Sequence, residues 1–192
     1  MRRALYICSD GSVQGDFYAP SIRRQVGPAC GGWCGWVTDD FSQKPIFSGH
    51  EFLGDRLGPQ EAEYAALVNA LQAARRRLST RNHDALEITC YMDNAHVVQQ
   101  VNGEIGVSDL TSWYELACGE IDLLRSTGLS VDVIEVDRKH HGVRRAHALA
   151  RHAFQAQLPE KHWRPQAQFR PGRTATATRP EAQIRRNTEL RW

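Results

Sequence analysis

The chain has 192 residues, 41% of them hydrophobic and 24% charged, which is enough for one domain with a full core plus an appendage. The net charge of +2 does not by itself announce a polyanionic partner, but it is unevenly spread: residues 159–192 hold eight Lys/Arg against three Asp/Glu, so a local +5 leaves −3 on the rest. The five cysteines are odd in number and the chain is long for a small secreted scaffold, which argues against a disulfide framework. The apolar run after Met1-Arg2-Arg3 ends at Asp10, too soon for a signal peptide or a membrane span, so a reducing cytoplasm and no membrane are expected.

Ala4–Ser9 carries the β-favouring Tyr6 and Ile7 and is closed by Asp10-Gly11-Ser12, which predicts a strand. A Gly/Pro-rich loop follows. Gly31–Thr38 and Pro45–Leu53 then predict two more strands, so three antiparallel strands come first. Cys30 and Cys34 have the spacing of half a zinc site, but no second pair at ligand spacing follows. Gly58-Pro59 opens a helix, with Pro at its first position and Leu67, Leu71, Ala74 and Leu78 on one stripe. Leu86–Met92 predicts a fourth strand and Asn94–Val101 a short helix. Ser108-Asp109 should cap a longer helix that runs to about Ser126. Leu129–Val136 alternates as a fifth strand, and Arg144–Gln157 forms the last helix. This order implies an α/β fold, a mixed sheet covered by helices.

From residue 159 onward periodicity stops and Gln, Arg, Thr, Ala and Pro dominate, which predicts a flexible basic tail after a domain spanning residues 1–158. Trp163, Arg164, Phe169, Arg170, Arg173, Arg185, Arg186 and Trp192 mix charge with stacking rings there. Such a mixture suits a nucleic-acid backbone and its bases as well as it suits a solvated extension.

Three carboxylates stand out. Asp10 closes the first strand, although Asp-Gly is also ordinary turn punctuation. Glu63 precedes Leu67 and Leu71 by one and two helical turns, so it projects from the apolar face of its helix, where a lone carboxylate is costly. Asp93 follows the fourth strand, where it could equally be a helix N-cap. Two strand ends and the start of a sheet-packed helix could converge. Hard oxygen ligands of this kind suit Mg²⁺ or Mn²⁺. Two such ions about 4 Å apart activate water and stabilise a leaving oxygen in phosphodiester cleavage.

Asp10-Gly11-Ser12, then Gly58-Pro59-Gln60-Glu61-Ala62-Glu63-Tyr64-Ala65-Ala66-Leu67, then Tyr91-Met92-Asp93-Asn94, resemble the type 1 ribonuclease H family, especially its reverse transcriptase-like branch. Ala146-His147-Ala148-Leu149-Ala150 resembles that family's closing Ala-Asp-x-Leu-Ala. The resemblance spans roughly residues 4–157. It implies a five-stranded mixed sheet, with three antiparallel strands followed by two parallel ones, and endonucleolytic hydrolysis of RNA in RNA–DNA hybrids. It also implies Asp10, Glu63 and Asp93 as ligands of two metal ions, with Gly11, Ser12, Gln60 and Asn94 on the substrate side. No protein partner is implied.

The pattern is broken in places. His147 stands where the family has its fourth acid, and three readings stay open. It ligates metal through a neutral imidazole and tilts preference toward Mn²⁺, it is a satisfied core histidine, or the site is crippled. His140 and His141 lie in the loop where family members often carry a proton-transfer histidine, with Asp137 as another nearby acid. Pro59 replaces one of two polar amides that many members place before the helix glutamate, leaving Gln60. The basic, Trp-rich protrusion of some bacterial members is also absent, since residues 102–120 contain Trp113 but no Lys or Arg. The competing functions are a nucleic-acid-binding domain that has lost turnover and a structure-selective DNA nuclease.

Overall fold

The computed structural model describes residues 3–14, 17–19, 24–79, 86–107 and 112–157. The expected helix cap Ser108-Asp109 and the tail lie outside the described residues. Among the described residues six strands and four helices follow in the order β1 (Arg3–Val13), β2 (Phe17–Ala19), β3 (Arg24–Trp36), β4 (Phe47–Leu57), α1 (Pro59–Ser79), β5 (Leu86–Met92), α2 (Ala95–Val101), α3 (Ser112–Ser126), β6 (Ser130–Glu135) and α4 (His141–Gln157). The five long strands form one mixed sheet. β3 pairs antiparallel with both β4 and β1, β1 pairs parallel with β5, and β5 pairs parallel with β6. The short β2 continues along the same edge of β3 beyond β1, pairing Phe17 with Val26.

Strand β1 does not stop at Ser9. It runs through Asp10-Gly11-Ser12, pairing Gly11 with Gly31 and Ser12 with Cys30, so Asp10 lies within a strand and not at its end. β3 starts seven residues earlier than the alternation suggests. It carries Gly27 and Pro28 through register shifts around Ala29.

The layers follow from alternation. Leu5, Ile7, Ile88, Cys90, Val131 and Val133 face one side, against Leu67 and Leu71 of α1 and Ile121 and Leu124 of α3. Each fully buried aliphatic side chain contributes about 2 kcal/mol. Cys8, Cys34 and Trp36 face the other side against Val143 and Ala146 of α4, and farther along Cys30 meets Ala153 and Phe154. Cys30 and Cys34 are therefore buried core thiols. Arg75 of α1 pairs with Glu120 of α3 at 3.1 Å, a structural use of one member of the Arg75-Arg76-Arg77 run.

α1 begins with one half of a capping box: Glu61 reaches back to accept from the Gly58 amide at 2.7 Å, with Pro59 at the first helical position. α4 sits directly on β3 because Gly32 has no side chain. A Cβ there would lie 2.1 Å from the Ala146 carbonyl oxygen and 2.6 Å from the Ala150 amide, both backbone atoms that cannot step aside. Gly32→Ala is expected to cost about 3 kcal/mol by overpacking, read as a lower urea midpoint with an unchanged slope. An unchanged midpoint would mean α4 rides higher on the sheet than described.

Candidate active site

β1 and β5 are parallel neighbours in register, with Cys8 opposite Tyr91, so two residues further along each chain Asp10 and Asp93 stand side by side. This is the carboxyl edge of the parallel strands, where open α/β sheets place their sites. α1 brings the third acid. Its first turn presses on Gly11, where a Cβ would lie 2.3 Å from the Ala62 carbonyl carbon and 2.4 Å from the Glu63 amide. That close approach lets the Gly11 amide donate to Glu63 Oε2 at 3.0 Å. Asp10, Glu63 and Asp93 each offer a carboxylate oxygen, and these oxygens all lie within 4.8 Å of one another.

The electrostatics of the cluster are unfavourable as it stands. Burial pushes the Asp10 carboxyl up, as does Asp93, while His147 and Arg138 oppose the shift. Burial pushes Glu63 well above the usual carboxylate range, with Asp10 adding to the effect and the Gly11 hydrogen bond opposing it. Asp10 is 4% and Glu63 7% exposed, so neither is relieved by water. Crowded, desolvated carboxylates of this sort are relieved by protons or by a multivalent cation. The donors are all oxygens, which fits Mg²⁺ or Mn²⁺ and does not favour a thiophilic metal.

His147, on α4, reaches the same place: its Nδ1 lies 3.0 Å from Asp10 Oδ2, with half of the side chain still exposed. The Asp10 hydrogen bond raises its pKa against the pull of desolvation. Arg138, in the turn before α4, donates through Nε to Asp93 Oδ2 at 2.8 Å. Its side chain is 89% exposed while that of Asp93 is 4% exposed, so a solvated cation caps a buried acid. No local feature of the sequence marks Arg138. The signal lay in topology: β5 and β6 are parallel neighbours, so the turn after β6 falls beside the residue after β5.

Other candidates fall differently. Asn94, not Asp93, caps α2, accepting from the Val97 amide at 3.2 Å, which leaves Asp93 for the cluster. His140 packs its ring against Phe41 at 4.5 Å and Tyr91 at 5.1 Å, and burial and His141 lower its pKa. His141 is exposed at the first position of α4. Among the described residues no hydrogen bond joins either histidine to the three acids. Asp137 turns its own loop by accepting from the Lys139 amide at 2.6 Å. Ser12 lies within β1, and Gln60 is partly exposed in the first turn of α1.

Residues 30–153 match the model of the "Reverse transcriptase-like" family. The chain belongs to that ribonuclease H-like family. Among solved structures it is similar to ribonuclease H1 of the halophilic archaeon Halobacterium salinarum NRC-1, with 25% identity and a TM-score of 0.59, over 80% of this chain and 98% of that one. It is also similar to the N-terminal RNase H domain of a Mycobacterium tuberculosis protein, with 23% identity and a TM-score of 0.59, over 81% and 99% of the two chains. A third similar fold is LC11-RNase H1, solved with an RNA/DNA hybrid, at 18% identity and a TM-score of 0.59, over 79% and 97%. No curated protein matches the chain. The five-stranded mixed sheet with flanking helices is the ribonuclease H fold.

Proposed function

We propose that the chain is a metal-dependent endonuclease that hydrolyses the RNA strand of RNA–DNA hybrids. The observation that carries this reading is the trio of carboxylates, Asp10, Glu63 and Asp93, with oxygens within 4.8 Å of one another at the carboxyl edge of a ribonuclease H sheet. Asp10, Glu63 and Asp93 hold two Mg²⁺ or Mn²⁺ ions, with His147 completing the set. Bound there, such ions supply Lewis-acid stabilisation of the phosphoryl oxygens and make water a better nucleophile at neutral pH.

The remaining work belongs to the protein. The Gly11 amide holds the Glu63 carboxylate in place. A neutral His147 ring with its proton on Nδ1 donates to Asp10 Oδ2 and leaves the Nε2 lone pair free. Arg138 places an exposed guanidinium beside Asp93, where it offsets phosphate charge as the hybrid arrives. His141 is the better placed of the two loop histidines for proton transfer, because it is exposed while the His140 ring is packed among aromatics. Gly11, Ser12, Gln60 and Asn94 form the substrate side. Selection of the hybrid comes from its 2′-hydroxyls and duplex shape. The basic, aromatic segment of residues 159–192 adds positive charge that the domain lacks. Five free thiols suit a reducing compartment such as the cytoplasm, and no helix among the described residues is long and apolar enough to cross a membrane.

The test is a substrate panel. End-labelled RNA paired with DNA, the same RNA paired with RNA, and the same sequence as DNA duplex and four-way junction are each incubated with Mg²⁺ or Mn²⁺. Cleavage confined to the RNA of the hybrid, leaving 5′-phosphate ends, is expected. Hybrid binding without cutting in either metal favours the reading in which His147 marks a site that has lost turnover. Cutting of the junction alone makes the chain a DNA nuclease.

A further inference from the structure

Beside the acidic cluster lies a polar network that the carboxylates do not use. Gln100 of α2 is 4% exposed, yet it carries a full amide into the core side of α1. Its Oε1 accepts from Gln60 Nε2 at 3.0 Å and from the Tyr64 hydroxyl, and its Nε2 donates to the Gly106 carbonyl over a long 3.5 Å. Gln60 and Tyr64 lie one helical turn apart on α1, so a single buried amide oxygen ties both to α2.

The donor and acceptor rules fix which way each amide faces. The Gly106 carbonyl only accepts, so the Gln100 NH₂ must face it. Reversing the Gln100 amide would set its oxygen against the Gly106 carbonyl oxygen and leave that buried acceptor without a donor. The Gln100 oxygen therefore faces α1, and Gln60 must meet it with its NH₂. Gln60 Oε1 is left pointing away from Gln100, on a side chain that is partly exposed, and among the described residues no donor meets it.

We propose that Gln100 is a positioning residue that makes Gln60 present a hydrogen-bond acceptor, and not a donor, to the minor groove of the bound hybrid. This rests on the hybrid-nuclease reading and deepens it. An outward amide oxygen is matched by minor-groove donors. In a hybrid there are two sources: the exocyclic amine of guanine and the ribose 2′-hydroxyl. An A·T or A·U pair shows only acceptors from its base edges, so Gln60 in this orientation gains nothing from them. Had the amide been free to flip, it would serve either kind of partner and discriminate between neither.

The experiment compares kcat and KM on hybrids of one sequence that differ at single positions flanking the cut. One series replaces guanine by inosine, which lacks the exocyclic amine. The other replaces one 2′-hydroxyl by 2′-fluoro, which cannot donate. The wild-type protein is expected to lose about fivefold in kcat/KM, through KM, in one of the two series, the size of one hydrogen bond. That series identifies the donor. Gln100→Leu, checked for folding by its melting curve, is expected to discriminate less than twofold at that position with kcat unchanged. Gln100→Glu, whose buried carboxyl stays protonated and donates to the Gly106 carbonyl, keeps an acceptor toward Gln60 and is expected to retain the discrimination. Equal discrimination by wild type and Gln100→Leu, or none by wild type in either series, overturns this inference alone. A folded wild-type protein that neither cuts nor binds any hybrid overturns the functional reading and this inference together.

Discussion

Asp10→Asn is expected to lower hybrid cleavage by about 10³-fold and, at the same time, to raise the melting temperature of the metal-free protein. The first effect follows from removing one of three oxygens that hold the ions, which is on the order of 4 kcal/mol of transition-state stabilisation. The second follows from the charge pattern. Burial lifts the Asp10 and Glu63 carboxyls above their ordinary range, Asp10 adds to the rise of Glu63, and Asp93 adds to both. Replacing one carboxylate by a neutral amide of the same shape relieves that repulsion. What it loses is the His147–Asp10 pair, and with His147 half exposed that pair contributes little to stability. The relief therefore wins, and a rise of about 3 °C would correspond to roughly 1 kcal/mol in a chain of this size.

The pH dependence carries the same sign. For Asp10 and Glu63 the folded pKa lies above the unfolded one, so the folded state holds protons that the unfolded state has released. Their contribution is fully present below the unfolded carboxylate range and is lost as pH rises through the raised values. His147, also raised, adds to stability at low pH and loses that contribution as pH climbs above its own raised value. The metal-free wild type should thus melt progressively lower as the pH rises from mildly acidic to alkaline. Asp10→Asn should flatten the profile. Added Mg²⁺ or Mn²⁺ should recover the wild type at high pH, by binding the folded state alone, and do little for the variant. Calorimetric scans with and without chelator check this. A variant that melts lower than wild type across the whole range would mean that Asp10 holds the fold together and is not strained within it.

How much of this was legible in the residues alone depended on what each signal was made of. Glu63 was legible because a carboxylate on an apolar helical stripe contradicts its surroundings, and periodicity exposes the contradiction. The element order was legible for the same reason, since the stripes of α1 and α4 are long. The extent of β1 and β3 was not, because Asp10-Gly11 and Gly27-Pro28 carry the local signals of turns. Gly11 lies inside a strand where α1 presses backbone against it, which depends on a partner distant in sequence. His140 looked like a loop residue near the chemistry, but Phe41 and Tyr91 arrive from other elements and enclose its ring. Arg138 and Gln100 carried no local mark at all. Each acts across to another element, Arg138 to Asp93 and Gln100 to Gln60 and Tyr64, and only the assembled sheet and helices bring them there.

The residue that departs from the family pattern gives the second large effect. His147→Asp is expected to move the ratio of Mg²⁺-supported to Mn²⁺-supported cleavage by about tenfold toward Mg²⁺. The imidazole meets Asp10 through Nδ1, which donates to the carboxylate, so Nε2 is the nitrogen whose lone pair is left for a metal ion. Nitrogen donors favour Mn²⁺ over Mg²⁺, whereas a fourth carboxylate oxygen suits the harder ion. The pH profile should change with it. In the wild type the ring must lose its proton to donate, and the Asp10 hydrogen bond holds that proton past the ordinary histidine range. Wild-type activity should therefore fall on the acidic side earlier than an unperturbed histidine would require, and His147→Asp should lose that limb. The same substitution adds a negative charge to a cluster already short of counter-charge, so the metal-free variant should melt lower than wild type, opposite in sign to Asp10→Asn. Cleavage rates in each metal from pH 5.5 to 8.5, beside the melting curves, separate the alternatives. A metal ratio and acidic limb that both survive the change would show that His147 only holds Asp10 in place, as a hydrogen-bond partner and not as a ligand.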